Sequence, residues 1–512
     1  MTRKKKKKTR RKQIDESPRQ LPPEVSAVDR AAPFIVGFAY FVLVLTTVSF
    51  YDVYEFDPDE GNNLIKALML NQGYSFLDEI WSDQPPLYTY LLLVVFKLFG
   101  WEVVYGRILT VIFAAVILGT IYDTLRRSYD HAAALAAVVL LVFSYSFVTL
   151  SVSVMIGLPS VAFAALSLWA LVYWRLNDRP HLLVLSGGMM GCSLATKLFT
   201  GFLVPVFSVS VVLWAVMAGG EHKWRSVMRS SALWGVGFVV AVVVCLGPVL
   251  LSDQLSQLYD PHLRLIADNP FPGRPLMTFL EREPELYSLA ALGVVCGLLR
   301  RRAAAGLYAL WLMCALVSLY LHFPVWYHHV LLIAIPGCAL AGIALSSLFG
   351  FVLGKFGVEK PAWTLLATAI STVVVLVMLD ATSEKSLAEM FEPRHFSNDE
   401  RDYKTELVLK QYLTEKPKMI SARPMYVFRT LSLMPPDLSV SSVKRFLAGL
   451  FTAEQVKQHI ESFQPDQVVL TSRWGRSVRR EIRESLGYNY KRVYQDRENG
   501  DVQVYVRSTL VK

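Results

Sequence analysis

Between Tyr54 and Ala67 the chain reads "YEFDPDEGNNLIKA", with Glu55, Asp57, Asp59 and Glu60 crowded together directly after an apolar run. A carboxylate held at the edge of a membrane is partly desolvated, which raises its pKa toward the range useful to a general base. Asp59 is the candidate base of this group, while Glu55 and Asp57 read as the negative face of a solvated loop. Further along, Arg107 opens one apolar run and Lys197 ends another, in "LATKLFTGFLVP". Ionisable groups inside membrane spans are costly and usually functional; snorkelling to the interface is the structural alternative. Two such cations on one cavity would suit a phosphate group, which Arg can hold bidentately. "HFPVWYHHV" at 322–330 adds Tyr327, His328 and His329. Adjacent histidines do not share a helix face, so hydrogen bonding to a ligand is expected ahead of metal binding. The segment 252–275 supplies His262 and Arg264. Its aromatic and Pro content suits a sugar or an acceptor, and an ordinary connector equally well.

Membrane helices must position these residues. The chain has 512 residues, 53% apolar and 18% charged, whereas a soluble protein carries about 25% charge. Several apolar runs reach about twenty residues, the length that crosses a hydrocarbon core of roughly 30 Å. The expected fold is an all-α polytopic membrane protein with spans near 32–51, 104–124, 131–150, 152–174, 182–197, 199–218, 230–251, 285–299, 303–321, 327–349 and 362–380. A further run, "PPLYTYLLLVVFKLFG" at 85–100, is short and interrupted by Lys97.

Loop charge arbitrates. Residues 2–12 hold nine Lys and Arg and no acid, which reads as a disordered cytoplasmic tail, 1–31, touching anionic lipid head groups. The net charge of +10 is mostly this local feature, and nucleic acid is not an expected partner. If 85–100 does not cross, the basic loops "RRSYD", "RLNDRPH", "EHKWRSVMR" and "RRR" all face the cytoplasm. If it does cross, "RRSYD" and "RRR" flip outside, against the positive-inside rule. Run 85–100 therefore reads as a re-entrant or surface-lying helix within a long external loop, 52–103. Irregular backbone at that depth needs cover from protein or a water-filled cavity. Residues 52–84 of this loop hold eight acids against one base, Lys66.

After the last span, residues 382–512 read as an external α/β domain. "QVVLT" (467–471), "KRVYQD" (491–496) and "VQVYVR" (502–507) are strand-like, with a hairpin signal at Asn499-Gly500. "TAEQVKQHIESF" (452–463) reads as a helix capped by Thr452. This domain carries no nucleophile motif, phosphate loop or metal set, so its expected role is to position a substrate or partner. Cys192, Cys245, Cys296, Cys314 and Cys338 fall in apolar runs and read as small buried hydrophobes. No Cys/His metal spacing exists; a cofactor is not expected, and a divalent metal stays open.

In order along the chain, Asp59-Glu60, Pro85-Pro86, Phe99-Gly100, Arg107 and the Gly-rich "GGMMGCSLATKLFTGFLVP" resemble GT-C glycosyltransferases of the protein O-mannosyltransferase and aminoarabinose-transferase type. The resemblance covers roughly residues 32–345. It implies inverting transfer of a sugar from a polyprenyl-phosphate carrier to a lipid, glycan or protein acceptor on the non-cytoplasmic face. That side has no nucleotide pool, so a lipid phosphate is the natural activated donor. The resemblance makes Asp59 the general base, with Glu60 orienting the acceptor or assisting. Lys197 and Arg107 would hold the departing phosphate. Gln84, Tyr327, His328, His262 and Arg264 are candidate substrate or acceptor contacts. Two departures stand out: many relatives have Lys or His where Gln84 stands, and "SVMIGLPSVAF" lacks an acid that aminoarabinose-type relatives carry near Gly157 or Leu158. The lack of a eukaryotic-type luminal insert favours a bacterial inner membrane.

Two other classes compete. A polyprenyl-lipid flippase or transporter would also use charges in a membrane cavity, but nearer the midplane. A non-catalytic cell-envelope assembly protein could keep the fold without the missing acid. One-sided clustering of the ionisable residues favours the transferase.

Overall fold

In a computed structural model, residues 27–218, 220–268, 274–300, 302–355, 361–382, 399–496 and 502–511 are described. The basic stretch 2–12 and the Asn499-Gly500 turn lie outside them. The helical part runs α1 (Ala27–Thr47), α2 (Pro58–Asn71), α3 (Leu87–Phe99), α4 (Val103–Ser128), α5 (His131–Val142), α6 (Tyr145–Ser151), α7 (Gly157–Asn177) and α8 (His181–Thr196). It continues with α9 (Leu203–Ala218), α10 (Lys223–Leu250), α11 (Asp260–Asp268), α12 (Arg274–Arg282), α13 (Pro284–Leu299), α14 (Ala303–Leu321), α15 (Leu331–Lys355) and α16 (Pro361–Thr382).

Among the described residues, eight helices are long and apolar enough to cross a membrane: α1, α4, α7, α10, α14, α16, and α9 and α15 with the 3-10 turns that lead into them. Four shorter apolar helices, α3, α5, α8 and α13, join them; all but α3 fall on expected spans. The chain is an integral membrane protein. α15 is the axis of the bundle, with every residue from Leu331 to Ser347 buried, as an all-round apolar helix requires. α8 lies backbone to backbone on α10: a Cβ added at Gly187 would sit 1.9 Å from the Trp234 carbonyl oxygen. Small residues allow this approach where no hydrophobic effect drives helices together.

α3 is the short run that loop charge kept out of the set of spans. Its 13 residues cover about 20 Å at 1.5 Å each, no less than the 12 of α5, so loop charge rather than length separates the two. Tyr88, Leu92 and Phe96 are buried, while Val94, Leu98 and Phe99 on the other face are exposed. The buried face packs on the C-terminal region, with the Phe96 ring centroid 5.3 Å from that of Phe428.

The C-terminal region builds a four-stranded sheet from β1 (Met419–Ser421), β2 (Gln467–Leu470), β3 (Tyr490–Gln495) and β4 (Gln503–Arg507). The order is β1-β2-β4-β3, with β1 parallel to β2 and the other pairs antiparallel. β2, β3 and β4 are the expected strands; β1 is too short to show a period-2 pattern. The helix Ala453–Phe463 starts in a capping box, Thr452 and Gln455 each bonding the other's backbone N–H, which satisfies two orphan donors at once. Leu64, Ile65, Tyr88 and Phe96 of the first loop share one hydrophobic cluster with Met425, Phe428 and Trp474. The sheet region and the membrane-edge helices thus share a core.

Candidate active site

The site begins with the local folding of the acidic stretch. Asp57 is the N-cap of α2, in extended conformation, and its side chain accepts the Asp59 backbone N–H at 2.9 Å. Pro58 holds the first helical position, where its missing N–H costs nothing. The cap sets Asp57 and Asp59 on the rim of a cavity of roughly 250 Å³, which Asn62, Lys66, Asp83 and Lys197 also line. Asn62 Nδ2 donates to Asp59 Oδ1 at 3.1 Å. Burial pushes the Asp57 carboxyl up to about 7, and the neighbouring charge of Asp59 adds to the effect. Burial pulls Lys66 down to about 8, against the opposing pull of Asp83 and Asp59.

Glu60 points away from the cavity. Its carboxylate accepts the backbone N–H of Phe56 at 2.7 Å and of Val154 at 2.8 Å, and the Arg107 guanidinium from Nε and Nη2 at 3.1 and 2.9 Å. Arg107 also donates to the carbonyls of Phe50, Val53 and Tyr54. Both side chains are essentially inaccessible. The expected roles change accordingly. With its donors committed to Glu60 and three carbonyls, Arg107 does not present a fork to a phosphate, and Glu60 does not reach an acceptor. The pair ties α2, α4 and the turn before α7 into one rigid rim.

Glu55 is also corrected. It is not a solvated face but is 7% exposed, and it pairs with Arg423 at 2.5 Å and Arg473 at 3.4 Å from the C-terminal region. Arg264 lies outside the cavity, more than half exposed beside Asp260; it belongs to a surface pair rather than to the acceptor contacts expected of it.

Lys197 stands in an extended break between α8 and the 3-10 turn Leu198–Phe202. It is 7% exposed and near enough to Asp59, Asp83 and Lys444 to feel their charges. A Cβ at Gly157 would lie 3.8 Å from its Nζ. An acid here would pair with Lys197; the glycine leaves it facing the cavity.

Asp83 is a hub between the loop and the C-terminal region. Lys444 Nζ lies 2.9 Å from its carboxylate, Gln84 Nε2 3.3 Å and His262 Nε2 3.7 Å. Burial alone would raise the Asp83 carboxyl, but Lys444, His262 and Lys66 outweigh it and hold it below the usual carboxylate range. A second chamber of roughly 190 Å³ adjoins the first and shares Gln84, Lys197 and Lys444 with it. Its remaining wall includes Phe199, Leu258, Leu263, His322 and His329. Burial lowers His262, which also lines it, to about 4. His328 and Tyr327 face the first chamber and His329 the second, so the adjacent histidines split as their spacing predicts. Among the described residues, no group of three or more His, Cys, Asp or Glu could hold a metal ion.

The cavity thus gathers Asp59, Gln84, Lys197, Tyr327, His328 and, through the second chamber, His262. Sequence reasoning missed Asp57, Lys66, Asp83 and Lys444 as cavity residues. Lys66 carried a signal, as the lone base among eight acids; Lys444 carried none, because nothing local marks one surface lysine among many.

A family model described as dolichyl-phosphate-mannose-protein mannosyltransferase matches residues 83–251. No curated protein sequence matches the chain. Among solved structures, ArnT from Cupriavidus metallidurans bound to undecaprenyl phosphate is similar with a TM-score of 0.62 at 13% identity, covering 95% of this chain and 100% of that one. The oligosaccharyltransferase AglB from Archaeoglobus fulgidus, in complex with an inhibitory peptide and a dolichol-phosphate, gives 0.52 at 12% identity, covering 95% of this chain and 75% of that one. The arabinofuranosyltransferase AftD from Mycobacteria gives 0.52 at 14% identity, covering 94% and 40%. The chain thus shares the fold of these solved membrane proteins over nearly its whole length.

Proposed function

We propose that this chain transfers a sugar from a polyprenyl-phosphate donor to a hydroxyl acceptor on a lipid, glycan or protein, with inversion at the anomeric carbon. The acceptor oxygen forms the new bond to that carbon while its proton passes to Asp59. The bond from the same carbon to the phosphate oxygen breaks, and the electron pair leaves with the phosphate. Lys197 offsets the charge that builds there. Asp57, with its raised carboxyl, holds a proton through much of the range below neutrality, which limits repulsion beside the charged base.

The observation that carries this reading is one cavity with Asp59 and Lys197 both on its walls. One such space can hold attacking oxygen, sugar and leaving phosphate in line. The cavity would open to the non-cytoplasmic face, and a bacterial inner membrane is the expected setting. The test is Asp59→Asn: transfer from a polyprenyl-phosphate sugar is expected to fall at least about 10²-fold, with expression and melting temperature unchanged. Full activity in this variant would refute the assignment of the base. Mass spectrometry of cell-envelope glycans and glycoproteins with and without the gene would name sugar and acceptor.

A further inference from the structure

The two chambers differ in character and meet at a neck. The first carries Asp57 and Asp59; the second carries no acid among the described residues and is walled by Phe199, Leu258 and Leu263 together with His262, His322 and His329. Three residues line both: Gln84, Lys197 and Lys444. Two of the three are cations, and Lys444 comes from the C-terminal region rather than the membrane helices. It is held firmly. Ser442 caps the short helix Val443–Leu447 that carries it. The next residue, Arg445, donates to the carbonyls of Asp437, Val440 and Leu450. Its guanidinium stacks 4.7 Å over the ring of Trp81, two residues before Asp83. The loop is thus pinned from both sides, and the Lys444 ammonium has Asp83 as its ion-pair partner at 2.9 Å.

A polyprenyl-phosphate sugar has a polar head, a monoanionic phosphodiester, which can gain a second charge when the sugar leaves, and an apolar tail in linear order. The neck orders matching environments: acids on one side, lysines between, and on the other a wall of Phe199, Leu258 and Leu263 with three histidines. We propose that Lys444 is a phosphate-binding residue, which exchanges Asp83 for the donor phosphate and grips it together with Lys197 at the neck. The sugar then lies in the acidic chamber beside Asp59, and the first isoprenoid units lie against Phe199, Leu258 and Leu263. The C-terminal region completes the donor site. This assignment rests on the function proposed above, and it supplies the second cation that the buried Arg107 cannot provide. The side-chain exchange needs no domain motion, because Lys444 has rotatable methylenes and three donors.

The test is binding of undecaprenyl phosphate to the purified full chain in nanodiscs, with undecaprenol as the uncharged control. Lys444→Gln is expected to weaken phosphate binding about tenfold or more, while Lys444→Arg stays near wild type and undecaprenol does not distinguish the variants. Asp83→Asn separates phosphate binding from a purely structural latch: it frees the lysine and should bind undecaprenyl phosphate as well as wild type or better. Wild-type binding by Lys444→Gln, or equal weakening by Asp83→Asn and Lys444→Gln, would overturn the role of Lys444 and leave the transferase reading standing. Failure of the wild-type protein to bind undecaprenyl phosphate above undecaprenol would overturn both.

Discussion

Asp59 and Glu60 are adjacent, yet the turn of α2 sends them to different tasks. Asp59 faces the cavity with Asn62 on one oxygen. Glu60 accepts four hydrogen bonds inside the protein. The second arrangement supports the first, since a base is useful only if its backbone does not drift. Asp57 gives a pH prediction. Its carboxyl rises from 3.8 to about 7 in the folded protein. Between those values the folded state keeps a proton that the unfolded state has released, so stability falls as pH rises through this window. Asp57→Asn keeps a good N-cap and removes that cost. Its stability should match wild type below about pH 4 and exceed it above pH 7, by on the order of 1–2 kcal/mol after allowance for partial solvent contact, seen as a higher melting temperature. An unchanged difference across that range would contradict the buried, protonated carboxyl.

At the scale of elements, α8 delivers Lys197, and α8 is positioned by its contact with α10. Gly187 has no room for a Cβ, with Trp234 O at 1.9 Å, whereas Gly188 has ordinary space, with Gly237 O at 3.7 Å. Gly187→Ala must push the helices apart, at an expected cost of about 1–3 kcal/mol. The displacement carries Lys197 with it, so the donor KM should rise as well. Gly188→Ala should leave both nearly unchanged. Thermal melting and donor titration of the two variants check this, and equal behaviour would mean that the helix contact does not position the lysine. α3 shows another division of labour. Its buried aromatic face meets the C-terminal core, and its exposed apolar face suits it to lie along the membrane.

For the whole molecule, five segments distant in sequence meet at one end of the bundle. The first loop, the turn near Met155, Lys197, the 258–263 stretch and Tyr327-His328 all reach the two chambers. The C-terminal region closes over them, joined by Glu55 to Arg423 and Arg473, by Arg429 over the Tyr54 ring, and by Lys444 to Asp83. We propose that this end faces away from the cytoplasm. Glu102 is exposed in the short connection between α3 and α4. A cysteine placed there should react with a membrane-impermeant maleimide in intact cells, above the background of the five native cysteines. Labelling only in inverted vesicles would reverse the orientation.

Hydropathy was enough to determine the membrane-helical class and the positions of the apolar helices, and loop charge supplied the proposal that α3 does not cross. These properties depend on run length and local composition, which a sequence carries directly. The order of Asp59, Pro85-Pro86, Arg107 and Lys197 was enough to suggest the superfamily. Which of the charged residues share a cavity was decided only by tertiary structure. Arg107 and Lys197 look alike in sequence, each a cation at the end of an apolar run. Folding buries one among Glu60 and three carbonyls and leaves the other facing open space. Asp83 and Lys444 are separated by 361 residues, and no local pattern reports such a pair. Burial and long-range contact assign the roles of charges, and both are properties of the packed chain.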